Sequence, residues 1–265
     1  MSIFKLLPEG WNTETFKLKN NTIDEIEKDQ IMQGIVKECD ENCNLYINLG
    51  NGITGIIPED EVEGINIKQD KKQKENICRG KTKKIIQFKI KEIKENTPIL
   101  SRKEVQEEAL KYIFENYKIG ESIKGIVKNI TPYGAFIEIG GGIVGLAHIE
   151  DLSVARIKTP YERLKIGQKV KAIIKNIDKE NKKISLSYKE NFGTWTENAD
   201  KFYQGEITKG IVRETEKNKN GIFIEITPNL VGMAEYKEGL EYGKTIDVLI
   251  KKIDYNRKKV KLVII

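Results

Sequence analysis

The chain is poor in the residues on which metal sites and histidine-based catalysis draw: 265 residues include one His and three Cys. A general base of the imidazole type has only His148 to come from. Three thiols, an odd number, make no disulfide framework and agree with a reducing compartment. A zinc site wants four ligands at characteristic spacing. Cys39 and Cys43 have no second pair and Cys78 stands alone, so all three read as ordinary thiols, and no metal or cofactor is expected. No stretch approaches the ~18 consecutive apolar residues of a membrane span. The opening Met1-Ser-Ile-Phe-Lys-Leu-Leu-Pro8 lacks the apolar core and cleavage site of a signal peptide, so the expected location is cytoplasmic. Gly140-Gly141-Gly142 precedes no Gly-Lys-Ser/Thr and is not a phosphate loop. No Ser/His/Asp or paired-carboxylate constellation can be assembled either. The expectation is a protein that is not an enzyme.

Charge is plentiful and uneven. Lys and Arg number 46 against 40 Asp and Glu, a net of +6. Residues 1–100 carry a net of −1, residues 101–200 a net of +3 and residues 201–265 a net of +4. A polyanion is therefore expected on the C-terminal two thirds.

Self-comparison shows three repeats. Leu45-Tyr-Ile-Asn-Leu-Gly50, Gly134-Ala-Phe-Ile-Glu-Ile-Gly140 and Gly221-Ile-Phe-Ile-Glu-Ile-Thr227 are matching segments. Each follows a similar strand: Gln33-Gly-Ile-Val-Lys37, Lys124-Gly-Ile-Val-Lys128 and Lys209-Gly-Ile-Val-Arg213. The runs are short, rich in Ile and Val, partly alternating and punctuated by glycine, as strands are. Five such strands in about 70 residues suit a small closed barrel, which has no exposed edges. The expected fold is all-β, with three tandem five-stranded barrels over 30–103, 118–190 and 203–265, after an N-terminal segment 1–29. Ser101-Arg-Lys-Glu104 has capping-box spacing, and Ala109, Leu110, Ile113, Phe114 and Tyr117 recur at helical spacing. The linker over 104–117 is thus read as part of an amphipathic helix, 102–117, docking the first repeat on the second. The insert 150–164 is expected to hold a short helix. The linker 191–202 is expected to turn and form a short helical segment anchored by Trp195, and Thr22–Ile26 is a plausible helix start.

The second repeat resembles the RNA-binding domain named after ribosomal protein S1, a five-stranded OB-fold. The matching segments are Gly120-Glu-Ser-Ile-Lys-Gly-Ile-Val, Tyr133-Gly-Ala-Phe-Ile-Glu-Ile, Val144-Gly-Leu-Ala-His-Ile and Lys183-Ile-Ser-Leu-Ser. The first and third repeats match the framework more weakly. The resemblance implies a single-stranded RNA-binding face: Tyr133 and Phe136 as stacking platforms, His148 beside them, Asp178 as a hydrogen-bond acceptor, and Lys182 and Lys183 on phosphate. Arg156 in the insert would reach the strand from the barrel end. For Asp178, a purely turn-capping role fits the sequence equally well. In the third repeat Phe223, Asp254, Lys258 and Lys259 keep the pattern, while Asn220 and Glu235 replace Tyr133 and His148, which implies weaker, more electrostatic binding. Tyr255 offers a substitute ring. In the first repeat Tyr46 matches Phe136, but Cys43, Pro58 and Lys94 replace Tyr133, His148 and Asp178, which favours docking to the small ribosomal subunit or another protein. The implied function is binding of single-stranded RNA, specifically mRNA in translation. The rivals are a protein-interaction adaptor and an accessory delivering RNA to a nuclease or polymerase.

Overall fold

A computed structural model describes residues 6–18, 30–64, 71–213 and 221–265. Phe4, Asn220 and the helix start expected at Thr22–Ile26 lie outside these residues.

Three five-stranded sheets each close into a barrel, as OB-folds do. The first comprises β1 (Met32–Cys39), β2 (Leu45–Gly50), β3 (Ile53–Ile57), β4 (Ile85–Lys94) and β5 (Thr97–Ser101), with α1 (Glu59–Val62) and α2 (Lys71–Arg79) between β3 and β4. The helix α3 (Lys103–Asn116) follows. The second barrel comprises β6 (Ser122–Thr131), β7 (Gly134–Gly140), β8 (Ile143–His148), β9 (Lys169–Asp178) and β10 (Lys183–Ser187). After α4 (Trp195–Ala199), the third comprises β11 (Ile207–Val212), β12 (Ile222–Thr227), β13 (Leu230–Ala234), β14 (Thr245–Asp254) and β15 (Lys259–Ile264). In each barrel the first strand lies between the second and the fourth, and the third strand meets the fifth in parallel.

The local reason is the period of two along a strand. In β2, Leu45, Ile47 and Leu49 are buried while Tyr46 and Asn48 are not. In β12, Ile222 and Ile224 are fully buried and Phe223 between them is exposed. The first core gathers Val36, Leu45, Ile47, Phe88 and Leu100. The third gathers Val212, Ile224, Leu230, Val248 and Leu262.

The chain divides into two compact units. One holds residues 1–126, 137–145 and 176–184, and the other residues 127–136, 146–175 and 185–265. In the first, the N-terminal segment lies along the first barrel: the Phe16 and Leu18 amides donate to Gln33 and Leu49 carbonyls at 2.8 and 2.7 Å. Trp11 reaches further, its ring 5.6 Å from the Lys124 ammonium on β6. Helix α3 buries Val105, Ala109, Leu110 and Ile113. Its capping box is half formed. Ser101 Oγ accepts the Glu104 amide at 3.0 Å, while its own proton goes to Glu61 at 2.5 Å.

The joint between this helix and the Gly140–Gly142 turn is a buried ionic network that the sequence did not announce. Arg102 donates in a fork to Glu9 at 2.7 and 3.1 Å and to Glu63 at 2.9 Å. The Glu9 amide donates to Glu138 at 2.7 Å, and Glu138 also accepts the Gly140 and Gly142 amides at 2.9 and 3.0 Å. All three turn glycines have positive φ, and a side chain at Gly142 would collide with the Arg102 guanidinium.

In the second unit the expected helix in the insert is instead two single 3₁₀ turns, Ile149–Asp151 and Pro160–Glu162. Pro160 sits within a capping box made by Thr159 and Glu162, which starts a turn. Too few residues follow to extend it. Among the described residues no helix is long and apolar enough to cross a membrane, and no group of three or more His, Cys, Asp or Glu is arranged to hold a metal ion.

Candidate nucleic-acid interface

On the second barrel, β7 alternates: Ala135 and Ile137 are fully buried, and Phe136 between them is half-buried with its ring outward. Tyr133, just before the strand, is half exposed. The two rings meet edge to face with centroids 6.1 Å apart and planes at 83°, a favoured aromatic geometry. Gly134 brings β8 alongside. A Cβ there would lie 2.4 Å from the Ala147 carbonyl oxygen and 3.1 Å from His148 Cα, so only glycine permits the approach. The Ile149 amide donates to the Tyr133 carbonyl at 2.9 Å. His148 is exposed, and its Nδ1 accepts the Glu150 amide at 3.5 Å, which leaves Nε2 as the outward ring nitrogen. Tyr133, Phe136 and His148 therefore share one neighbourhood on the barrel.

Asp178 is occupied by its own turn. Its oxygens accept the Asn181 amide at 2.9 Å and the Asn181 side chain at 2.8 Å, bonds that hold its carboxyl below the usual range. Lys182 and Lys183 are exposed on that hairpin, Lys182 at a φ of +53°. The third barrel repeats the device: Asp254 accepts the Arg257 amide at 3.0 Å, and Lys258 has a φ of +48°. Both aspartates thus have the turn-capping role.

The third barrel carries more of the pattern than its sequence suggested. Phe223 on β12 stands opposite Met233 on β13, and Met233 stands opposite Lys261 on β15. The row therefore runs from ring to thioether to ammonium. A groove of about 890 Å³ on this face is lined by Phe223, Met233, Lys258, Lys259 and Lys261. Across it stand Val154 and Arg156, from the insert of the second barrel. Four of the sequence-expected residues, Arg156, Phe223, Lys258 and Lys259, are therefore gathered here. Arg156, expected to reach the strand from the end of the second barrel, lines this groove. Tyr255 is no substitute ring at this groove. Its hydroxyl donates to Asp200 at 3.0 Å and its ring packs against Trp195 at 5.7 Å, fastening the linker. Met233 and Val154 were missed, because no sequence rule distinguishes an outward thioether or valine from a core one.

Among its described residues the first barrel presents no such pair of outward rings. Cys43, at the position of Tyr133, is buried, and the Tyr46 hydroxyl donates to Asp40 at 3.1 Å. Burial and then this bond raise the Tyr46 hydroxyl above its ordinary range. Cys43 and Cys78 are buried and Cys39 is half-buried, and all three thiols are free. Burial and the neighbouring thiols push Cys78 up to about 12, which makes it a poor nucleophile.

The S1 RNA binding domain family matches residues 116–189, the second barrel. The chain is 34% identical over 198 residues to the small ribosomal subunit protein bS1 of Neisseria meningitidis serogroup B, covering 68% of this chain and 35% of that protein. It is 32% identical over 264 residues to the bS1 of Staphylococcus aureus, covering 93% and 62%. It is 28% identical over 227 residues to the bS1 homolog of Bacillus subtilis, covering 80% and 57%. The chain thus spans between about a third and three fifths of the length of these relatives.

Proposed function

We propose that this chain, a member of the S1 RNA-binding domain family, holds single-stranded RNA on the outward faces of its second and third barrels and acts on mRNA in translation. The single observation that carries the reading is the edge-to-face pair of exposed Tyr133 and half-buried Phe136 with His148 beside it, in the stretch the family matches. Unpaired bases stack on such rings whatever their sequence. Lysines such as Lys182, Lys183, Lys258 and Lys259 meet the phosphates, which makes the affinity salt-dependent. Nothing in this reading requires a catalytic step. The relatives are proteins of the small ribosomal subunit, so we place this chain with that subunit in the cytoplasm and assign docking to the first barrel.

The test is a titration of unstructured RNA against salt, with the Tyr133→Ala/Phe136→Ala pair as the probe. The double change is expected to weaken binding by about 2–5 kcal/mol. Copurification with small subunits tests the translational part. The adaptor reading is favoured by one observation, the tied Tyr46 and buried Cys43 of the first barrel. An unchanged RNA affinity in the double variant would establish it for the whole chain.

A further inference from the structure

We infer that the first barrel docks on double-stranded RNA, gripping it by the phosphates through a basic ridge formed by α2 and the turn that follows it. This rests on the docking role proposed for that barrel and names the chemistry of its partner.

The first argument is the distribution of charge. Residues 71–84 hold seven Lys and Arg against one Glu, so the rest of the first hundred residues carry a net of −7 beneath a near-neutral total. An ordinary solvated surface intersperses the two signs. At physiological salt a charge is felt over about 8 Å, so a partner in contact meets the ridge and not the average. Two of the seven cations serve the fold. Lys74 pairs with Glu59 at 2.8 Å, and Lys81 turns inward to Glu63 at 3.5 Å. Lys72, Arg79, Lys83 and Lys84 are exposed.

The second argument is geometric. Cys78 joins one side of α2 to the first core. Lys72, Asn76 and Arg79, spaced by four and three residues, lie along the exposed side. At about 1.5 Å of rise per residue, Lys72 and Arg79 stand about 10 Å apart along the helix. A duplex carries one charge per about 1.7 Å of its axis, so a row of this length faces several phosphates. The helix runs into a tied turn. The Gly80 amide donates to the Asn76 carbonyl at 2.9 Å, and the Thr82 amide to the Arg79 carbonyl at 3.1 Å. The Lys83 amide donates to the Val36 carbonyl at 2.8 Å, and the Val36 amide donates to the Lys84 carbonyl at 3.0 Å. Lys37, also exposed, follows Val36 on β1. The backbone that bears these cations is therefore fixed before any partner arrives, and only side chains are ordered on binding.

The third argument selects the partner. Over residues 72–84 no large apolar side chain is exposed. A single strand is held by rings on which its bases stack, and a protein interface is centred on apolar or aromatic anchors. A duplex hides its base faces and presents phosphates, which cations alone can meet. The tied hydroxyl of Tyr46 agrees with a barrel that does not stack bases.

The experiment uses the full chain with a blunt RNA duplex of about twenty base pairs and with an oligouridylate, read by fluorescence anisotropy at several salt concentrations. Lys72→Glu/Arg79→Glu/Lys84→Glu is expected to weaken duplex binding more than about tenfold. It should also make the slope of log affinity against log salt shallower by about 3, roughly one for each phosphate contact. Lys83, with a φ of +64°, is left in place so that the turn is undisturbed. The same variant should bind oligouridylate within about threefold of the unmodified chain and melt alike. If the reversal lowers the melting temperature, Lys72→Gln/Lys84→Gln replaces it, with a slope change of about 2. Lys72→Arg/Lys84→Arg should keep both affinity and slope, and duplexes of unrelated sequence should bind alike. Unchanged duplex affinity in the charge-reversed variant, or no duplex binding by the unmodified chain, overturns the inference. Polyglutamate that displaces the duplex as well as competing duplex does would also overturn it, since the ridge would then be a protein-docking site. Copurification separates the inference from the reading beneath it. If the unmodified and charge-reversed chains copurify equally with small subunits, the inference falls and the docking reading stands. If the ridge binds the duplex but the unmodified chain copurifies with no subunit, the docking reading falls and the ridge remains a site for double-stranded RNA.

Discussion

At the scale of single residues, the decisive positions are those where an atom's absence or a charge's partner sets geometry. Gly134 is one. Adding a methyl group drives it into the Ala147 carbonyl, a backbone atom that cannot step aside. Gly134→Ala is expected to cost about 1–3 kcal/mol of stability and to part β7 from β8, moving His148 away from the two rings. Thermal melting and RNA affinity should both fall; a variant that melts normally and binds normally would show that the close approach is unnecessary. The aspartates give the reverse lesson. Asp178 was legible as either an RNA acceptor or a turn cap. Its bonds to Asn181 make the cap, a feature that depends on the conformation of a few residues and that composition does not carry.

At the scale of elements, the N-terminal segment is pinned by a charge. Burial alone would raise the Glu9 carboxyl, but the Arg102 guanidinium, aided by Lys81 and the Gln87 amide, holds it below the ordinary range. A carboxyl lowered on folding contributes stability above its unfolded value, about 4.3, and that contribution fades as pH falls through the folded value. The segment should therefore release from the first barrel on acidification, followed by Trp11 fluorescence, and stay in place at neutral and alkaline pH. Glu9→Gln should remove this acid-side loss. At neutral pH it should cost about 3–5 kcal/mol, the penalty for leaving a buried guanidinium short of a partner. A pH profile that Glu9→Gln does not change would show that other carboxyls release the segment. The helix α3 was readable from its apolar spacing, but the partner of Arg102 was not, because Glu9 lies far away in sequence.

At the scale of the whole molecule, three copies of one barrel have diverged in what they present. The first keeps Tyr46 but ties it to Asp40, the second presents a ring pair and an imidazole, and the third presents a ring, a thioether and lysines. Alanine at Tyr46 should leave affinity for unstructured RNA within about twofold, as at contacts that carry no binding energy. Alanine at Phe136 or Phe223 should lower it clearly. Equal losses from all three, measured by the same titration, would mean that the first barrel grips RNA as well. The charge gradient along the chain points the same way, since the near-neutral first hundred residues attract a polyanion least.

The sequence by itself determined the number of barrels, their approximate bounds and their short alternating strands, because strand alternation and turn glycines are local and recur in three copies. Tertiary structure alone decided which groove Arg156 lines and which carboxylate meets Arg102. These are meetings of residues distant along the chain. They are set by where an insert or a terminal segment docks, and the hydrophobic period along a strand carries no record of that.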